Sequence, residues 1–128
     1  MEKYHDYVVI RRRDNQKWFA GIFNIHGQQV GLDTNESLDV VNLKCDSDLI
    51  PNLIHESGIY LAYHMNKQHW ISVDIEKYEE ILFKSRIKKV VQNINRNEKE
   101  ILIPFSEKEI TSERKKQKEN LEELIEAF

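Results

Sequence analysis

The sequence contains a single cysteine, Cys45, among its 128 residues. One thiol cannot form an internal disulfide, and a small domain without disulfides suits a reducing, cytoplasmic setting. Apolar runs stay far below the roughly 18 residues a membrane-spanning helix needs, so no membrane contact is expected. The opening residues, Met1-Glu2-Lys3-Tyr4-His5-Asp6, are polar and lack the apolar stretch of a secretory leader. No internal repeat or low-complexity tract is visible. An excess of one charge sign is missing too. The net charge is −3, and residues 98–128, with nine acidic and six basic side chains, account for all of it. Residues 1–97 carry thirteen of each and are neutral. DNA binding rests on neutralising phosphates, so composition alone makes no case for a basic face here, although it leaves room for one.

Catalytic patterns are also scarce. Gly27 and Gly31 lack the spacing of a phosphate-cradling loop, and no Ser-His-Asp arrangement or carboxylate pair stands out. Cys45 lies beside Asp46, which disfavours the thiolate and makes it a poor nucleophile. The chain therefore reads as a binding module more readily than as an enzyme, with no catalytic residue, metal or cofactor assigned.

Hydrophobic residues make up 40% of the chain, enough for one packed core, and charged residues 32%, enough for a well-solvated surface. The first half reads as strands. Tyr7–Arg12 is rich in β-branched residues, Asp14-Asn15-Gln16 is turn-like, and Lys17–Ile25 resumes an aromatic-rich apolar pattern, which together predict a hairpin. A loop spans His26–Ser37. Leu38–Leu43 alternates as a third strand, buried on both faces for part of its length. Leu49, Ile50, Leu53 and Ile54 form a helical stripe, best begun near Asp48 so that Pro51 falls in the first turn, with Gly58 as its end. Ile59–Met65 and His69–Ile75 predict a second hairpin around Asn66-Lys67.

Residues 76–94 predict a helix with Phe83, Ile87, Val90, Val91 and Ile94 on one face, and a break at 93–97. Ile101-Leu102-Ile103-Pro104-Phe105 is a short apolar patch. Ser106 and Glu109 have capping-box spacing ahead of a charged helix, on which Leu121, Leu124, Ile125 and Phe128 share a face. The order β-β-β-α-β-β-α plus a C-terminal helix predicts an α+β fold: an antiparallel sheet with helices on one face. Residues 1–94 form the main domain of this reading and 95–128 a C-terminal extension.

Three segments carry a resemblance. Gly58–Val73, with its Asn66-Lys67-x-His69-Trp70 element, resembles the signature of the MmcQ/YjbR family, as do Asp14–Ala20 and Asp39–Asp46 in the same order. The similarity runs from about Tyr7 to about Val91. It implies an α-β3-α-β2-α arrangement similar to type III secretion chaperones, and a "double wing" label of DNA binding that is an analogy of fold. The sequence departs from the family in lacking room for a helix before the first strand and in having Ser85-Arg86 where Ser-Tyr is usual. The tail helix, or a second copy of the chain, is then expected to cover the sheet surface that the absent helix would cover.

Candidate binding residues follow. Arg11, Arg12, Arg13 and Lys17 flank the first hairpin and would touch phosphates if it acts as a wing; the plainer alternative is charge protecting an edge strand. Lys67 and His69 would meet an anion with Trp70 as a stacking wall; the alternative is a turn built by Asn66 and a packed indole. Lys84, Arg86, Lys88 and Lys89 complement the end of their helix. His64 and His69 lie five apart with no third ligand at metal spacing, and read as packed histidines. DNA, a protein partner and a second copy of the chain remain the partner classes, and an enzyme with a site near His64 and His69 the remote alternative.

Overall fold

A computed structural model describes residues 7–82 and 100–127. Its centre is a six-stranded sheet in the order β4-β5-β3-β2-β1-β6. The strands are β1 (Tyr7–Arg12), β2 (Trp18–His26), β3 (Ser37–Lys44), β4 (Ile59–Leu61), β5 (Trp70–Asp74) and β6 (Glu100–Ile103). The helices are α1 (Ile50–Leu53), α2 (Ile75–Leu82) and α3 (Glu107–Ala127), with a 3-10 turn at Gly27–Val30. Neighbours among β1 to β5 pair antiparallel, while β6 runs parallel to β1. This is the α+β architecture that the pattern of apolar runs predicts.

Strand register explains the core. One row across the sheet aligns Val8, Ile22, Val41, Val73 and Ile59; the next aligns Ile10, Ala20, Leu43 and Ile71. All nine are buried, because side chains two apart on a strand share a face. Helix residues Ile50, Leu53, Tyr78, Ile110 and Leu121 join the same cluster, so the three described helices cover this face. Phe23, Ile25 and Val40 form a second cluster on the other face with half-buried Trp18, Val30, Leu38 and Tyr63. The third strand is therefore buried on both sides at Val40–Leu43, as its double alternation implies.

Several boundaries differ from the sequence expectation. The patch at 101–103 is a strand, because its backbone completes a ladder with β1. A partner about ninety residues away leaves no local signature, and a four-residue run carries little period. As a consequence β1 is an interior strand, and charge on it does not protect an edge. A bulge between Ile10 and Arg11 also breaks the simple alternation along the arginines. The first helix is a single turn with Pro51 at its start, where the missing N–H costs nothing. Gly58 sits beyond it at φ +91, a left-handed turn that hands the chain into β4. Strand β4 stops at Leu61, since the chain then turns aside at Tyr63 and His64, the latter at φ 55. The stripe from Phe83 to Ile94 and the basic residues Lys84, Arg86, Lys88 and Lys89 lie outside the described residues.

The capping box opens α3 as expected: Ser106 Oγ accepts from Glu109 N–H at 3.2 Å, and Glu109 Oε1 accepts from Ser106 N–H at 3.3 Å. Leu121 of the expected apolar stripe is buried, while the side chains of Leu124, Ile125 and Phe128 lie outside the described set. The buried face of α3 is otherwise Ile110, Glu113, Gln117 and Asn120, spaced three or four apart. Three of those four are polar, so hydropathy alone hides a helix face that is in fact packed. The residues after 99 thus supply a strand to the sheet and three buried apolar anchors to the core, Ile103, Ile110 and Leu121.

Candidate functional site: a cationic groove

Residues of α3 from Glu107 to Leu121 face the end of the first hairpin and the segment that follows β3. A groove of about 840 Å³ lies between them. Arg12, Lys17, Lys44, Arg114, Lys115 and Lys118 line it, with Asp46, Asp48 and Glu107 as its carboxylates and His69 at its wall. Thus a chain with a net negative charge gathers six cations against three anions on one concave surface.

The cations fall into two groups. Arg12 forms ion pairs with Asp14 at 2.6 Å and with Glu107. Hydrogen bonds to Asp14 and then Glu107 push its guanidinium above the ordinary value, and the same contact holds the Asp14 carboxyl below its ordinary value. Lys118 pairs with Asp46 at 3.0 Å. By contrast, no carboxylate among the described residues pairs with Lys17, Lys44, Arg114 or Lys115.

Arg114 is the unusual member. Its guanidinium lies 4.2 Å from the centre of the Phe19 ring and 5.9 Å from that of Trp70, so aromatic faces stand where a counter-ion would. Its only hydrogen bond among the described residues is to Gln117 Oε1, at 3.5 Å. Burial, followed by repulsion from Arg12, pushes Arg114 down to about 10. The Nε2 of Gln117 is itself buried without a hydrogen-bond partner among the described residues. Cys45 lines the same groove, but burial first, then Asp46 and Asp48, pushes its thiol up to about 12. It is therefore no nucleophile near neutral pH.

The sequence-predicted residues separate. Arg12, Lys17 and His69 reach the groove. Arg11 does not: it pairs with Glu100 on β6, donates to the Gln16 carbonyl at 2.9 Å and stacks over Trp18. Arg13 and Lys67 are exposed outside the groove lining. Asn66 is a turn builder. Its carbonyl accepts from the N–H groups of His69 and Trp70, at 3.2 and 3.0 Å, and its Oδ1 from Gln68 N–H at 2.8 Å. Cys45 N–H donates to the His69 carbonyl at 2.7 Å, which ties this turn to the groove. Trp70 then serves as the wall behind Arg114. His64 is exposed, packs on Tyr63 with ring centres 4.0 Å apart, and does not line the groove. Among the described residues no group of three or more His, Cys, Asp or Glu side chains is placed to hold a metal ion. No described helix is long and apolar enough to cross a membrane. Sequence reasoning missed Lys44, Arg114, Lys115 and Lys118, whose charges are unremarkable until α3 folds back over the sheet.

No protein-family model matches the chain. The uncharacterised protein YyaQ of Bacillus subtilis (strain 168) is 38% identical over 76 residues, which span 59% of this chain and 64% of YyaQ. A Pseudomonas syringae protein studied by structural genomics has the same fold in its crystal structure: TM-score 0.55, 31% identity, 93% of this chain and 80% of that one. Its solution NMR structure matches with a TM-score of 0.51, 31% identity, 98% of this chain and 76% of that one.

Proposed function

We propose, from the premise that this chain belongs to one family with the Pseudomonas syringae protein, that it is an MmcQ/YjbR-type module that binds single-stranded nucleic acid in the cationic groove. The observation that carries this reading is the clustering of Lys17, Lys44, Arg114 and Lys115, without carboxylate partners among the described residues, on one concave surface. Unneutralised cations release counter-ions when phosphates replace them, which drives association. A groove of about 840 Å³ is of nucleotide scale and recessed, which favours a flexible strand over a duplex. The exposed His69 in its lining offers a ring against which a base can rest. The first hairpin contributes through Lys17 and Arg12 at its end, and no catalytic step is assigned.

Fluorescence anisotropy with a labelled single strand and its duplex, across a salt series, tests the reading. The expected result is tighter binding of the single strand, with a log–log salt slope of roughly −2 to −3, as about three to four phosphate contacts produce. Replacing Lys17, Lys44 and Lys115 with alanine together should flatten that slope. Absence of binding to either probe at low salt, where attraction is strongest, defeats it and leaves a protein partner or a second copy as the occupant.

A further inference from the structure

We propose that Arg114 is the seat of a phosphate group in this groove, so that the ligand is anchored by one phosphate at this guanidinium. The inference deepens the nucleic-acid reading by naming the residue and the group it takes. Three observations converge on it. First, the half-buried Arg114 guanidinium lines the groove and has no carboxylate partner among the described residues. Buried charges are ordinarily paired, because removing an ion from water is costly. Second, the Phe19 and Trp70 rings lie against the planar group and restrict it, while its N–H donors are undersupplied with acceptors among the described residues. A planar, pre-oriented fork suits two oxygens of a phosphate.

Third, the surroundings select the charge of the ligand. Lys17, Lys44 and Lys115 line the same groove, and Asp46 and Glu107 are already engaged by Lys118 and Arg12. Only Asp48 remains among the lining carboxylates without an ion pair among the described residues. A field of this sign favours an anion, and the planar fork favours the several oxygens of a phosphate, in a diester or a monoester, over other anions. The same phosphate could arrive on a free nucleotide, on a strand or as the inorganic ion, and these are separable by experiment.

The test uses the full chain and two variants, Arg114→Met, which keeps the volume without the charge, and Arg114→Lys, which keeps the charge without the fork. Thermal melting is measured in inorganic phosphate and in adenosine monophosphate against chloride at equal ionic strength, and anisotropy is measured with the labelled single strand. Circular dichroism establishes that each variant is folded. The expected result is that phosphate or the nucleotide raises the melting temperature of the parent chain but not of Arg114→Met. Strand binding by that variant should weaken about 10- to 100-fold, as loss of charge-assisted hydrogen bonds implies, with Arg114→Lys between the two. If Arg114→Met keeps full response to every probe to which the parent responds, or if no probe acts on the parent, the assignment is overturned. Strand binding that is retained in Arg114→Met removes this inference alone and leaves the groove reading standing. A response to phosphate or the nucleotide that depends on Arg114, without strand binding, keeps this inference and removes the nucleic-acid reading.

Discussion

Two sets of arginines approach the same end of the sheet and meet different fates. Arg11 and Arg12, on β1, are neutralised by Glu100, Asp14 and Glu107. Arg114, on α3, has aromatic rings and one long hydrogen bond to an amide. In the sequence the first set is the conspicuous one, part of a run of three arginines, whereas Arg114 is one of many charges in a charged helix. What separates them is the folding-in of residues 100–107, which brings Glu100 and Glu107 against β1 and uses up its charge. A run of basic residues therefore says little about the field a ligand meets; the carboxylates that fold brings alongside decide it.

The strongest way to break this comparison is to detach α3. Leu121→Ala removes a fully buried side chain from the core and should cost about 2–5 kcal/mol in urea unfolding. Because the helix carries half the groove, strand binding should fall with it. A variant as stable as the parent means that α3 does not hold to the sheet through Leu121. Next in size is a contrast of pairs: Lys17→Ala with Lys115→Ala should weaken strand binding by at least about tenfold, as two lost phosphate contacts imply. Arg11→Ala should leave binding within about twofold, since that side chain lies off the groove. Equal losses in both would erase the distinction between free and neutralised cations.

Glu107→Gln sharpens it from the other side. It removes a carboxylate from the groove and frees Arg12, so strand affinity should rise severalfold while the melting temperature moves by no more than about 3 °C, the pair being exposed on the glutamate side. Anisotropy and melting on the same sample check both. The smallest effect is in acid. Arg12 holds Asp14 below the ordinary carboxylate value, so the folded form binds fewer protons there than the unfolded chain. The stabilisation is complete above the ordinary value, 3.8, and is lost as pH falls through the depressed one. Asp14→Asn should remove that part of the acid dependence, seen as a shallower loss of stability when melting is followed below about pH 4.

Much of the architecture is legible residue by residue. The β-branched run at Tyr7–Arg12, the two-sided burial at Val40–Leu43 and the Ser106–Glu109 capping box all follow from local period and spacing. These features are legible because their causes lie within a few residues of one another. Strand β6 was hidden because its partner is distant in sequence and its period too short to register. The Asn66–Trp70 element leads into β5, where backbone hydrogen bonds make Asn66 a turn builder and Trp70 stands near Arg114. The polar face of α3 was hidden because Glu113, Gln117 and Asn120 look solvent-exposed to any hydropathy scale.

The sequence by itself determined most of the described elements, β6 excepted, since apolar period, turn residues and caps act over one or two helical turns or a single hairpin. It determined the α+β class as well, because short connections between apolar runs leave few alternatives. Only the tertiary structure decided where β1 sits in the sheet, which charges find partners and where a groove opens. Electrostatic pairing and concavity depend on distances in space between residues such as Arg12 and Glu107, or Phe19 and Arg114, some ninety-five positions apart in the chain. No local pattern encodes such distances.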